Sequence, residues 1–208
     1  MAAGLQLIPM IVGLPTASIV SGRLISRFGR YKPFPIIGTA LAAVGMFLLS
    51  TIEVDTPYAQ IALYLLILGL GIGNVMQVLV IAVQNSVNPR DVGVATSGST
   101  FFRSVGGTIG VAVFGAIMTR QLTAELTSHL PAGAGSSANI SQITSAMSQI
   151  AALPETIKPI VLEAFTTALD AVFLAAVPCL IVGFVFALIL KDVRLRAHDA
   201  EHPPMLSE

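Results

Sequence analysis

Five apolar stretches, near Leu5–Val20, Phe34–Ile52, Ile61–Val83, Val92–Met118 and Ala164–Leu190, constrain this 208-residue chain more than any other feature. Each is about as long as a lipid-spanning helix requires, and longer than an ordinary buried strand or core helix. Only 11% of residues are charged, 54% are hydrophobic, and the mean hydropathy of +0.84 lies outside the usual soluble range. Glycine and proline recur inside the stretches, where lipid-embedded helices tolerate them better than soluble ones do. The expected fold class is an all-α membrane protein with five transmembrane helices, at about 4–24, 34–52, 59–83, 92–118 and 164–190. An outer linker is expected over about 120–160, and residues 197–208 form a tail beyond a bundle that occupies about 1–196. The first stretch does not read as a cleaved export signal, because no basic residue precedes it and Arg23, Arg27 and Arg30 follow it.

The linkers differ sharply in charge. The first holds Arg23, Arg27, Arg30 and Lys32; the second, Glu53 to Tyr58, has no basic residue. The third, Asn85 to Asp91, is short and polar, and the long fourth carries only Lys158, with Arg120 at its edge. Lys191, Arg194 and Arg196 follow the last stretch. Placing the first and third linkers and the tail in the cytoplasm puts eight basic residues inside and two outside, with Arg103 left in a helix. The N terminus is then outside and the C terminus cytoplasmic. A short outside N terminus with nothing before the first span leads to the expectation that the chain is the end of something longer.

Within the fourth linker, Gly135 to Asn139 reads as flexible, and Ile140, Ile143, Met147 and Ile150 have the spacing of a short surface helix. The charge balance is zero and no basic tract is interleaved with aromatics, which argues against a nucleic-acid partner. Cys179 is the lone cysteine, and His129, His198 and His202 lack ligand spacing. No nucleophile–base pair or metal cluster is visible, so the chain is not expected to be an enzyme.

Polar residues inside the spans mark the candidate site. Asn74, Gln77 and Gln84 gather three amides on roughly one face of the third span. They serve either interhelical hydrogen bonding or a polar path through the bundle. Gly69, Gly71 and Gly73 precede them. With no strand before them they are not a dinucleotide loop, and close helix contact or a local bend is expected instead. The fourth span carries Thr96, Ser97, Ser99, Thr100, Arg103, Ser104 and Thr108, then Gly106, Gly107 and Gly110, a small-residue ridge for helix packing. Arg103 either snorkels to the interface or serves a cavity or gate. Asp170, the lone carboxylate in a span, is expected near the outer interface.

The run Gly22-Arg-Leu24-Ile-Ser26-Arg27-Phe-Gly29-Arg30-Tyr31-Lys32 resembles the cytoplasmic loop signature of the major facilitator superfamily, G-x-L-x-D-R-x-G-R-[KR]. Gly22, Leu24, Arg27, Gly29 and Arg30 match; Ser26 stands where the signature has aspartate, and Tyr31 where it has a basic residue. The run Gly93 to Gly110 is similar to the fourteen-helix proton-driven drug-export branch of that superfamily. The resemblance implies a partial C-terminal bundle holding the last five helices, with Gly22 to Arg30 as a cytoplasmic gate loop. It also implies export of drugs or small amphipathic metabolites by alternating access, with a proton gradient as coupling ion and no bound cofactor. The implied partners are the lipid bilayer of the cell membrane, the missing N-terminal half of the transporter and a small-molecule substrate. Alone, the chain is expected to be inactive in transport. The alternative is a non-transporting multi-pass membrane protein or remnant that acts only as an assembly or structural partner.

Overall fold

A computed structural model of the chain describes residues 6–129 and 158–190. The flexible stretch expected over 135–139, the surface helix expected over 140–150 and the cytoplasmic tail lie outside the described residues. The described residues form five helices: α1 (Ile8–Phe28), α2 (Pro33–Leu49), α3 (Tyr58–Ser86), α4 (Val92–His129) and α5 (Lys158–Ile189). Four of them are long and apolar enough to cross a membrane, and α2, at 17 residues, is a shorter apolar helix. No strand occurs among the described residues. The all-helical architecture expected from the apolar stretches is the one found.

The helix ends explain themselves locally. α1 closes at Gly29, whose φ of 67° is left-handed and whose N–H bonds Ile25 O at 2.8 Å. Glycine enters that region without the Cβ penalty that other residues incur. α2 starts on Pro33, where a missing N–H costs nothing because the first turn has no internal acceptor for it. At its other end Ser50 Oγ and Thr51 Oγ1 donate to Phe47 O and Leu48 O, at 2.8 Å each, satisfying carbonyls that the helix leaves open.

Several boundaries differ from expectation. α1 runs on to Phe28 instead of stopping near 24, so Gly22, Leu24, Ser26 and Arg27 are helical, and only Gly29 to Lys32 separate α1 from α2. α2 stops at Leu49, short of the expected 52. α4 passes 118 and continues to His129, and α5 begins at Lys158 instead of 164. The extra turns have their own core: Leu122 and Leu126 of α4 pack against Val161, Ala164 and Ala168 of α5, all nearly inaccessible. With 38 residues α4 is roughly 57 Å long, against a hydrocarbon thickness of roughly 30 Å. The α4–α5 pair therefore extends well past any bilayer, held together by apolar contacts that hydropathy averages miss because Arg120, Gln121 and Glu125 interrupt them.

α3 is the centre of the packing. It lies between α1 and α2, while α5 packs on α2 and on α4. The contact register shows α1 parallel to α3, since Met10 meets Gly69 and Leu14 meets Gly73, and α2 antiparallel, since Gly45 meets Leu68 and Gly38 meets Gly71. Side chains at most outward positions are large and apolar: Ile11, Ile19, Phe102, Val111 and Phe186 are all more than half exposed. A surface of that kind suits hydrocarbon, not water. At the end carrying the Gly29 turn, Ile25, Tyr31 and Val78 form a buried cluster joined by Phe34, Ile81 and Leu190.

Candidate functional site

The basic end of the bundle is built from the last two turns of α1. Arg27 stands in the final turn, beside unpaired carbonyls that favour a positive charge. Arg23, Arg27, Ser18, Ser26 and Gly22 line an open cleft of about 690 Å³, which Gln77 and Ile81 of α3 complete. Ser26, where the loop signature has an acid, donates from its Oγ to Gly22 O at 3.0 Å, a bond within its own helix. Tyr31, where the signature has a basic residue, is only 4% exposed and belongs to the apolar cluster at this end. Leu24 is half-buried, and Arg27 and Arg30 are exposed.

The structure does not hold the candidate polar residues together. Asn74 and Gln77 lie about 60° apart around α3, and because α3 is flanked on both sides that angle sends them to different neighbours. The Asn74 Cβ rests against Gly38 of α2, while the Gln77 amide reaches the Gly22 side of α1. Gln84 is exposed near the end of the helix. Arg103 joins none of the three. Two separate lined spaces result, the cleft beside Gln77 and a cavity beside Arg103, and Asn74 and Gln84 line neither.

Arg103 lines the second of them, an apolar cavity of about 300 Å³ between α2, α3, α4 and α5. α3 supplies Ile72, Val75, Met76, Leu79, Val80 and Val83; α2 supplies Thr39 and Ala42; α5 supplies Leu180. The polar side is α4, with Thr96, Ser99, Thr100 and Arg103. Arg103 is roughly 16 Å along the helix from Val92, and its Nη1 donates to Met76 Sδ at 3.3 Å. The remaining hydroxyls of that run do not line the cavity, and Ser97, Ser104 and Thr108 donate to Val94 O, Thr100 O and Ser104 O of α4 itself; Thr100, which does line it, likewise donates to Thr96 O at 3.0 Å. Thr39 and Met76 escaped the sequence reading. One hydroxyl in an apolar helix carries no periodic signal, and a methionine is indistinguishable from core.

The two glycine runs behave differently. A Cβ on Gly71 would stand 2.5 Å from Ala42 N, one on Gly69 2.6 Å from Met10 O, and one on Gly73 would strike Leu14 O. Successive odd positions thus face α1, α2 and α1 again, which is the close helix contact expected of this string. Along α4, Cβ atoms on Gly106 and Gly107 would meet nothing within 4 Å, and one on Gly110 would meet only Phe114 of the same helix, at 3.9 Å. The ridge has no partner helix among the described residues.

At the opposite end, Glu53, Asp55, Glu163 and Asp170 border a cleft of about 560 Å³. Asp170 Oδ1 is shut off from solvent without a hydrogen-bond partner. Among the described residues no group of three or more His, Cys, Asp or Glu side chains is placed to hold a metal ion.

No family model matches the chain. It is 44% identical over 199 residues to an uncharacterized MFS-type transporter of Mycobacterium tuberculosis, an alignment covering 95% of this chain and 28% of that protein. It is 35% identical over 222 residues to the multidrug transporter protein MdtP of Bacillus subtilis, covering 96% of this chain and 41% of MdtP. An aspyridones efflux protein of Neocamarosporium betae is 40% identical over 129 residues, covering 62% of this chain and 23% of the fungal protein. These relatives support membership of the major facilitator superfamily. The chain spans well under half the length of each of them, and nearly all of its own length is accounted for in the two bacterial ones. All three are transporters or efflux proteins by name, which is consistent with a chain that is not an enzyme.

Proposed function

We propose that these five helices serve as the C-terminal bundle of a proton-coupled secondary transporter that exports drugs or small amphipathic metabolites. The observation that carries this reading is similarity to superfamily transporters over 95–96% of the chain, including one named as a multidrug transporter. The fourteen-helix drug-export branch is the nearest pattern. In this reading the cavity beside Arg103 lies on the substrate path, and the α1–α2 turn with Arg27 and Arg30 faces the cytoplasm as part of a gate. The N terminus is outside the cell membrane and the C terminus inside. Alternating access moves one bundle against another around a central site, so the partner is an N-terminal half-bundle and the chain alone does not transport. The open Gly106–Gly110 ridge supports a missing neighbour.

Reconstitution tests this reading. Purified chain in proteoliposomes under an imposed pH gradient is expected to give no drug flux. A contiguous polypeptide in which the N-terminal part of the mycobacterial relative precedes this chain is expected to give flux that collapses with the gradient. Proton-coupled flux from the chain alone overturns the half-bundle reading, and no flux from the joined polypeptide counts against transport.

A further inference from the structure

The cavity between α2, α3, α4 and α5 is lopsided in its chemistry. Its α3 and α5 walls are aliphatic but for the Met76 thioether, α2 adds Thr39 beside Ala42, and most of its polar groups come from one face of α4, where Thr96, Ser99, Thr100 and Arg103 follow helical spacing. Among the described residues, no aspartate or glutamate lines it. The hydrogen bond that Arg103 makes goes to the Met76 thioether, an uncharged and weak acceptor. Thr96 Oγ1 is shut off from solvent and has no hydrogen-bond partner. An exposed guanidinium some way into an apolar span, with hydroxyls beside it and no carboxylate among the described residues that line the cavity, is short of one thing there, an anion.

We infer that the cavity takes amphipathic organic anions, with an aromatic or aliphatic body between α2, α3 and α5 and a carboxylate or sulfonate against Arg103. The inference rests on the substrate-path reading and adds to it the sign of the ligand's charge. The planar guanidinium matches a carboxylate in fork geometry, and Ser99 stands one turn away on the same face to donate to the second oxygen or to a polar substituent, whereas Thr100 Oγ1 already donates to Thr96 O at 3.0 Å. A cavity of about 300 Å³ is at the small end for ligand sites, which fits a body of one or two rings. An ammonium or quaternary amine in the same place would meet a like charge across low-dielectric walls.

Three probes of one shape separate these cases: 1-naphthylacetate, 1-naphthylacetamide and 1-naphthylmethylammonium, titrated against the full chain in phosphatidylcholine nanodiscs with empty discs subtracted. The anion is expected to bind about tenfold more tightly than the amide, with the ammonium weakest. Arg103→Gln is expected to abolish the difference between the anion and the amide, with circular dichroism in the same nanodiscs showing that the variant keeps its helices. Arg103→Lys is expected to keep part of the preference. Equal binding of all three probes, or an anion preference that survives Arg103→Gln, overturns the charge inference and leaves the cavity reading standing. Binding of none of the three overturns both.

Discussion

α3 and α4 each carry a run of closely spaced glycines in an apolar span, yet only one run is occupied. Gly69, Gly71 and Gly73 bring backbones of α1 and α2 so near that no Cβ fits. Gly106 and Gly107 face open space, and the flanking Phe101, Phe102, Ile109 and Val111 are exposed as well. The same residue type at similar density is thus the closest internal contact in one helix and the barest surface in the other. Small residues state that something approaches closely; they do not state what. In α3 the approaching backbone belongs to this chain, and in α4 none of the described residues supplies it. The cavity lies where the two regimes meet, walled by α3 on the packed side and by α4 on the open side.

The largest effect that could break this contrast is a bulky residue on α3. Gly71→Leu places a side chain where Ala42 N is 2.5 Å from the Cβ alone, and the helices must separate. The expected loss is about 3 kcal/mol or more in SDS-induced unfolding from mixed micelles. Gly73→Ala adds one methyl against Leu14 O and is expected to cost about 1–3 kcal/mol in the same assay. Gly29→Ala tests the α1 turn, where φ is 67°, and is expected to cost about 1 kcal/mol. The smallest change carries the opposite sign: Gly107→Ala meets nothing and replaces a poor helix former, so it is expected to stabilise the chain by up to about 1 kcal/mol. A destabilising Gly107→Ala paired with a neutral Gly73→Ala would reverse the comparison.

Fold class was legible because hydropathy over twenty residues is a strong signal, and all five expected helices exist. Their ends were less legible. Leu122 and Leu126 sit among Arg120, Gln121 and Glu125, so their pairing with Val161, Ala164 and Ala168 looks like linker until the two helices are placed side by side. The site was legible in part. The hydroxyls and Arg103 of α4 stood out as polar residues in an apolar span, and four of them do line the cavity. The amides of α3 stood out equally, but periodicity gives a face and not a neighbour. A helix flanked by α1 and α2 divides Asn74 from Gln77 across a turn of about 60°. Tyr31 shows the reverse case: it reads as a departure from a basic signature, and its role as a buried member of the Ile25–Val78 cluster is visible only in three dimensions.

The central claim is that the α3–α4 region encloses a cavity with a polar wall, instead of presenting one more lipid-facing surface. Cysteine reactivity in membrane vesicles tests it directly. In a Cys179→Ser background, Thr100→Cys is compared with Phe186→Cys, an outward position 68% exposed on α5, using a membrane-impermeant charged maleimide added from the side of the α1–α2 turn. The cavity predicts that Thr100→Cys labels at least about tenfold faster, since reagent and water reach thiols in a polar cavity and not in hydrocarbon. Equal rates at the two positions, both at the level of a lipid-buried thiol, would contradict it.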